Sequence, residues 1–160
     1  MAVELVVRLK SIDDYVKRRH GRVRALTPNE QGQIFRYADR MLEYIKSRWP
    51  VDTGTSRDRW TYELDPSPGR MAIRIENPMF YAEYVHHRGG SPERPLWETL
   101  VPEAFGLIKD PMLTAVRNQI DLTERAIERR KAQGVGERRA LLDIFSNPEL
   151  SEVFGGLFGV

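Results

Sequence analysis

The sequence predicts an α+β domain: a small antiparallel sheet packed against one long amphipathic helix, with additional C-terminal helices. Three observations carry this. Val3, Leu5, Val7 and Leu9 alternate with Glu4, Val6, Arg8 and Lys10, the two-residue period of a half-buried strand. Residues 28–49 carry an apolar stripe at helical spacing between a capping signal and a proline. Two further alternating runs, 60–64 and 71–76, flank a turn-forming segment and read as a hairpin.

In the first run Val3, Leu5, Val7 and Leu9 share a face. Ser11 then reads as a helix N-cap, with Asp13 and Asp14 in the first turn, where negative charge suits the helix dipole. Ile12, Tyr15 and Val16 form the apolar side, and Gly21 is the stop. Residues 17–24 are basic and read as a helix end and loop. Thr27, Pro28 and Glu30 have the spacing of a capping box with proline at the first helical position. Ile34, Tyr37, Ala38, Met41, Leu42, Ile45 and Trp49 follow on one side, and Pro50 ends the helix.

Trp60, Tyr62 and Leu64 alternate with polar residues, as do Met71, Ile73 and Ile75. Between them Asp65-Pro66-Ser67-Pro68-Gly69 has turn chemistry, and Asn77-Pro78 breaks the second run. Residues 79–88, with Phe80, Tyr81, Tyr84 and Val85, fit a short helix and equally a strand. Residues 95–108 show helical spacing through Leu96, Leu100, Ala104 and Leu107, and Lys109-Asp110-Pro111 punctuates them. A long helix with a stripe of Leu113, Val116, Ile120 and Ile127 is expected next, Asp121 and Arg125 standing four apart. Gly134 and Gly136 interrupt it, and 138–145 reads as one or two more helical turns. The segment 153–160 is apolar and rich in glycine. The expected division is residues 1–110, an α+β domain; 111–146, a helical region; and 147–160, an apolar tail.

The chain has 160 residues, the size of one domain with a terminal extension. It lacks an apolar run near the roughly 20 residues of a membrane helix. Its start, MAVELVVRLK, lacks the pattern of a signal peptide, so none is expected. With no cysteine, disulfides, thiolate metal sites and thiol catalysis are excluded. The net charge of +2 leaves any electrostatic role to local clusters.

The search for chemistry returns little. His86 and His87 are adjacent, so their side chains diverge and one metal ion does not easily take both. A His-His nuclease would need a further histidine downstream, and none follows. No Gly-x-Ser-x-Gly elbow is present. Asp52-Thr53-Gly54 has the residues of an aspartic-protease motif, but in one copy within a polar loop. The basic residues 17–24 could hold phosphates, without aromatic residues among them for base stacking. Trp60 reads as core; Tyr81 and Tyr84 suit either core or an interface. The 153–160 segment is apolar enough to dock, on its own domain or on another subunit.

Three segments resemble the tail-component, or tail-completion, family of long-tailed bacteriophages and prophages. Trp49-Pro50-Val51-Asp52-Thr53-Gly54, followed by Arg57 and Trp60, is similar to the family's helix end, "P-V-D-T-G" segment, basic residue and tryptophan. Asn77-Pro78 followed by Tyr81-Ala82-Glu83-Tyr84-Val85 and Gly89 resembles "N-x-x-x-Y-A-x-Y-V-E-x-G". The first strand leading into Ser11-Ile12-Asp13-Asp14-Tyr15 is similar to the family's strand and "G-L-D-E-L" helix start. The likeness covers roughly residues 3–90. His86-His87 stands where the family often has an acidic residue, and the chain beyond Pro95 is longer and more helical than the family pattern.

The resemblance implies a non-enzymatic virion protein of the neck or tail, without metal or cofactor, assembled in the host cytoplasm. Copies would form a ring, expected to hold six, between tail tube and head connector, with transient, sequence-independent contact to DNA in its channel and none with a membrane. Pro50, Asp52, Thr53, Gly54, Arg57, Trp60 and Asn77 would form the family loop. The expected subunit interface comprises Tyr81, Tyr84, Val85, His86 and His87, with Phe154, Leu157 and Phe158 of the tail. The rival readings are a nucleic-acid-binding protein that uses residues 17–24 and, behind it, a metal-dependent nuclease.

Overall fold

The computed structural model describes residues 2–50, 55–79, 82–85 and 95–146. Strand β1 (Val3–Arg8) leads directly into helix α1 (Lys10–His20), and α2 (Pro28–Arg48) follows after a short loop. A four-residue turn of helix, α3 (Thr55–Asp58), precedes β2 (Thr61–Asp65) and β3 (Ala72–Asn77). A single 3-10 turn (Ala82–Tyr84) comes before the long helix α4 (Trp97–Ala132) and α5 (Glu137–Ser146). The expected α+β class is the one observed.

The sheet is antiparallel with strand order β1-β3-β2. The hairpin β2–β3 forms as the alternation predicts, each strand starting one residue later than its periodic run. Ile73 and Ile75 on the central strand are fully buried. The opposite face carries Glu4, Arg8, Glu63 and Arg74, all exposed. One face is therefore roofed by helices and the other is open, as the two-residue period requires.

Helix α2 begins as its sequence dictates. The Thr27 side chain accepts from the Glu30 N–H at 3.3 Å, and Glu30 accepts from the Thr27 N–H at 3.1 Å. Ile34, Ala38, Met41 and Ile45 are fully buried along one stripe. Pro50 forces Trp49 into extended geometry (ψ 134°), and the helix ends there. Helix α1 departs from expectation at its start. It begins at Lys10, with Leu9 in the capping position and no side-chain cap, so Ser11 is not the cap. Asp13 instead turns inward and accepts from the N–H groups of Gly69 and Met71 at 3.1 and 3.4 Å, tying α1 to the β2–β3 turn. Gly21 ends α1 as expected, at φ 86°, a left-handed cap that glycine adopts without a Cβ penalty.

Two expectations for the C-terminal half are corrected. Lys109-Asp110-Pro111 does not punctuate the chain: α4 runs unbroken through Pro102 and Pro111, so residue 110 lies inside a helix. Each internal proline forfeits a backbone hydrogen bond and costs about 3 kcal/mol. The stripe Leu100, Val101, Ala104, Ile108, Met112, Val116 and Ile120 lies in the same core as α2 and the sheet. At roughly 1.5–3 kcal/mol per large buried apolar side chain, that burial outweighs the two lost bonds. Helix α4 is thereby drawn inward. It lies against α2 and α1 as a central element of the core. Leu107, placed on the predicted stripe, is 59% exposed, and Ile108 takes the inward position.

Helix α4 ends in a double backbone clasp: Gly134 N–H to Lys131 C=O and Val135 N–H to Arg130 C=O, both 3.0 Å. The chain reverses there into α5, whose Ala140 and Ile144 pack on Ala126 and Ile127 in a second, smaller cluster.

Candidate functional site: the motif corner and its surroundings

Trp49, Trp60 and Asn77, three of the residues that carry the resemblance, meet where α2, α3 and the end of β3 converge. The Trp49 indole N–H donates to Ser56 Oγ at 3.1 Å. The Asn77 side-chain amide donates to the Ser56 carbonyl at 2.8 Å, and its oxygen accepts from the Met79 N–H at 3.1 Å. Asn77 and Ser56 are both buried. The rings of Trp49 and Trp60 meet edge to face, 5.0 Å between centroids. The hydrogen-bonding groups of Trp49, Ser56 and Asn77 meet one another and hold α3 between the end of α2 and the end of β3, while the buried Trp60 indole N–H has no partner among the described residues. The arrangement fixes α3 in place.

Of the expected loop residues, Trp60 and Asn77 are brought together in this corner. Pro50 adjoins it, half-buried. Arg57 reaches the neighbouring Asp58 carboxylate at 3.0 Å; that hydrogen bond, with the cation's charge, holds the Asp58 carboxyl below its usual range. Asp52, Thr53 and Gly54 lie outside the described residues. Ser56, which links Trp49 to Asn77, was not among the expected residues. Its only signal in the sequence is its place between the two tryptophans.

The expected interface is described in part. Tyr84 is 66% exposed, while Ala82 is fully buried. Val85 is half-buried against the core, and its carbonyl accepts from the Leu96 N–H at 2.7 Å. The turn is thus anchored at Ala82 and Val85 and presents Tyr84 outward. Tyr81, His86, His87, Phe154, Leu157 and Phe158 lie outside the described residues. Among the described residues no group of three or more His, Cys, Asp or Glu side chains could hold a metal ion.

The basic stretch 17–24 is largely committed within the fold. Arg24 sits at 2.7 Å from Glu30 and 3.0 Å from Glu124, all three side chains buried. Burial alone would pull the Arg24 guanidinium down; the hydrogen bonds and charges of the two carboxylates outweigh it and hold it above its ordinary value. The His20 ring is buried between Glu124 at 3.0 Å and Glu137 at 3.2 Å. Arg19 meets Asp121 at 2.8 Å, Arg22 meets Glu137 at 3.3 Å, and Tyr15 donates to Asp121 at 2.9 Å. Asp121 is thus drawn to α1, where the helical spacing had matched it with Arg125. These contacts fasten α1 and the following loop to α4 and α5.

Compared with known proteins, the chain matches no family model, no curated protein and no solved structure. No helix among the described residues is long and apolar enough to cross a membrane.

Proposed function

We propose that the protein is a structural subunit of a phage-type tail or neck, working as one copy of a ring, expected to hold six, that completes the tail and joins it to the head connector around the DNA channel. The observation that carries this reading is the motif corner. Trp49, Ser56 and Asn77 spend their hydrogen-bonding groups, and Trp49 and Trp60 their rings, on holding α3 to the ends of α2 and β3, which is the work of a scaffold. The exposed Tyr84, on a turn anchored at both sides, is the described part of the surface offered to a neighbouring copy or to a tail-tube or connector protein. Ring contacts join unlike patches on successive copies. Residues 153–160 supply a second patch in this reading.

The rival reading of residues 17–24 as a DNA-binding patch is weakened by their geometry. Four of the six cationic or ionisable side chains there face carboxylates of α2, α4 or α5. In a ring, contact with DNA is transient and independent of sequence.

Electron microscopy of the purified protein, and of particles that contain it, tests the proposal. Closed rings, or density for the chain at the head–tail junction, are expected. A chain absent from every particle that turns over a substrate or binds DNA tightly with steep salt dependence would end it. Removing residues 153–160 is expected to weaken assembly and leave the fold intact.

A further inference from the structure

We propose that β1 is a self-pairing edge, through which two copies of this chain join antiparallel about Val6 to make one six-stranded sheet. Among the described residues β1 pairs with β3 alone, so its other edge offers unpaired backbone groups. Antiparallel pairing alternates residues that bond to the neighbour with residues that face away. The Leu9 N–H bonds to the Met71 carbonyl at 2.8 Å, which puts Leu5, Val7 and Leu9 on the β3 side. Glu4, Val6 and Arg8 therefore turn their N–H and C=O groups to the open edge. Their side chains also share the uncovered face of the sheet, all three exposed.

Pairing this edge with itself about Val6 brings Glu4 opposite the partner's Arg8, Val6 opposite the partner's Val6, and Arg8 opposite the partner's Glu4. All three outward-facing residues then find outward-facing partners, as an antiparallel ladder requires. Both charge pairs are attractive, and the 47% exposed Val6 is covered. On the inner face Leu5 lies opposite the partner's Val7. Both are only half-buried here, whereas Ile73 and Ile75 beside them on β3 are fully buried. The core is thus left open along the flank a second copy would close.

The other edge does not suit self-pairing. Strand β2 turns Thr61, Glu63 and Asp65 to the same open face, so a second β2 sets carboxylate against carboxylate. A parallel match of β2 with another copy's β1 offers one attractive pair, Asp65 with the partner's Arg8, in a ladder that is slightly weaker per residue. The β1 contact is two-fold and closes on itself, so it is separate from the head-to-tail contacts of a ring and would hold the unassembled chain as a dimer.

Sedimentation velocity over a concentration series tests it, with circular dichroism to show that each variant is folded. The wild-type chain is expected to dimerise. Glu4→Arg and Arg8→Glu each put two like-charge pairs across the seam and are expected to weaken the dimer about tenfold or more. The double variant restores alternating charge and the dimer, and mixing the two single variants yields a heterodimer. A wild-type chain that stays monomeric overturns the proposal. So does a dimer that ignores both reversals, or one weakened by Arg8→Glu but not by Glu4→Arg, which is the signature of the β2-to-β1 match.

Discussion

The Arg24 guanidinium lies 2.7 Å from the Glu30 carboxylate, with 6% of one side chain and none of the other exposed to solvent. Glu124 approaches the same cation at 3.0 Å from α4. Glu30 also closes the capping box of α2, so one carboxylate serves the helix start and the tertiary contact together. Removing the cation would strand two buried carboxylates. Arg24→Leu is therefore expected to cost about 3–5 kcal/mol in urea unfolding. Arg22→Ala, which breaks a largely exposed bridge to Glu137, should cost less than about 1 kcal/mol. Equal small losses for the two variants would show that the buried cluster does not hold α1 to α4.

The motif corner separates residues that hold the fold from one that does not. Ser56→Ala removes the acceptor for the Trp49 indole and is expected to cost about 1–2 kcal/mol. Trp60→Ala empties a fully buried site and should cost about 3–5 kcal/mol. Among the described residues Arg57 meets the adjacent Asp58, and Arg57→Ala should leave stability within about 0.5 kcal/mol. If Arg57 serves the ring, its loss will show in assembly assays and not in the melting curve. A destabilised Arg57→Ala variant would place that residue in the scaffold with the tryptophans.

What the sequence made legible was local. The Thr27–Glu30 box, Pro50, Gly21 and the two-residue alternations each act within a few residues, and each appears where the pattern put it. Ser11 failed as a cap because a longer-range demand won: Asp13 is drawn inward to the N–H groups of the β2–β3 turn, which moves the helix start back to Lys10. Pro111 failed as a stop because burial of Met112 and Val116 against α2 and the sheet outweighs one missing bond, and no local rule contains that burial. The roles of Arg24 and His20 were hidden for the same reason, since Glu124 lies 100 or more residues away in the chain. Ser56 was missed because a lone serine has no periodicity; only the meeting of Trp49 and Asn77 gives it a role.

Two half-buried tyrosines, Tyr62 and Tyr15, give the protein an alkaline limit. Burial, then the 2.7 Å hydrogen bond to the Asp39 carboxylate and that group's charge, push the Tyr62 phenol well above its ordinary range. Tyr15 is raised in the same way by burial and by Asp121. A phenol whose pKa is higher in the folded state favours folding while it is protonated. Its contribution is full below the unfolded value of about 10 and is lost as pH rises through the folded value. Unfolding free energies measured from about pH 8 to about pH 11 should therefore fall steeply at the top of that range. Tyr62→Phe keeps the ring beside Phe35 and should flatten the fall, at a cost of about 1 kcal/mol at neutral pH. An unchanged slope in that variant would remove Tyr62 as a source.

The continuity of α4 through Pro111 makes the first 110 residues dependent on the C-terminal part of that helix. Met112, Val116 and Ile120 are fully buried in the same cluster as Ile34, Met41 and Ile75. Large-to-small changes at such sites cost about 2–5 kcal/mol each, and a truncation removes all three with their backbone. The total rivals the stability of a typical domain, about 5–15 kcal/mol. A chain that ends at residue 110 is therefore expected to lack a cooperative melting transition and dispersed amide resonances. Pro111→Ala in the full chain restores a donor to the Leu107 carbonyl and should raise stability by about 1 kcal/mol or more. A folded 110-residue fragment would mean that the core closes without the second half of α4, and the helix beyond Pro111 would then be an addition to the domain, as its sequence alone suggests.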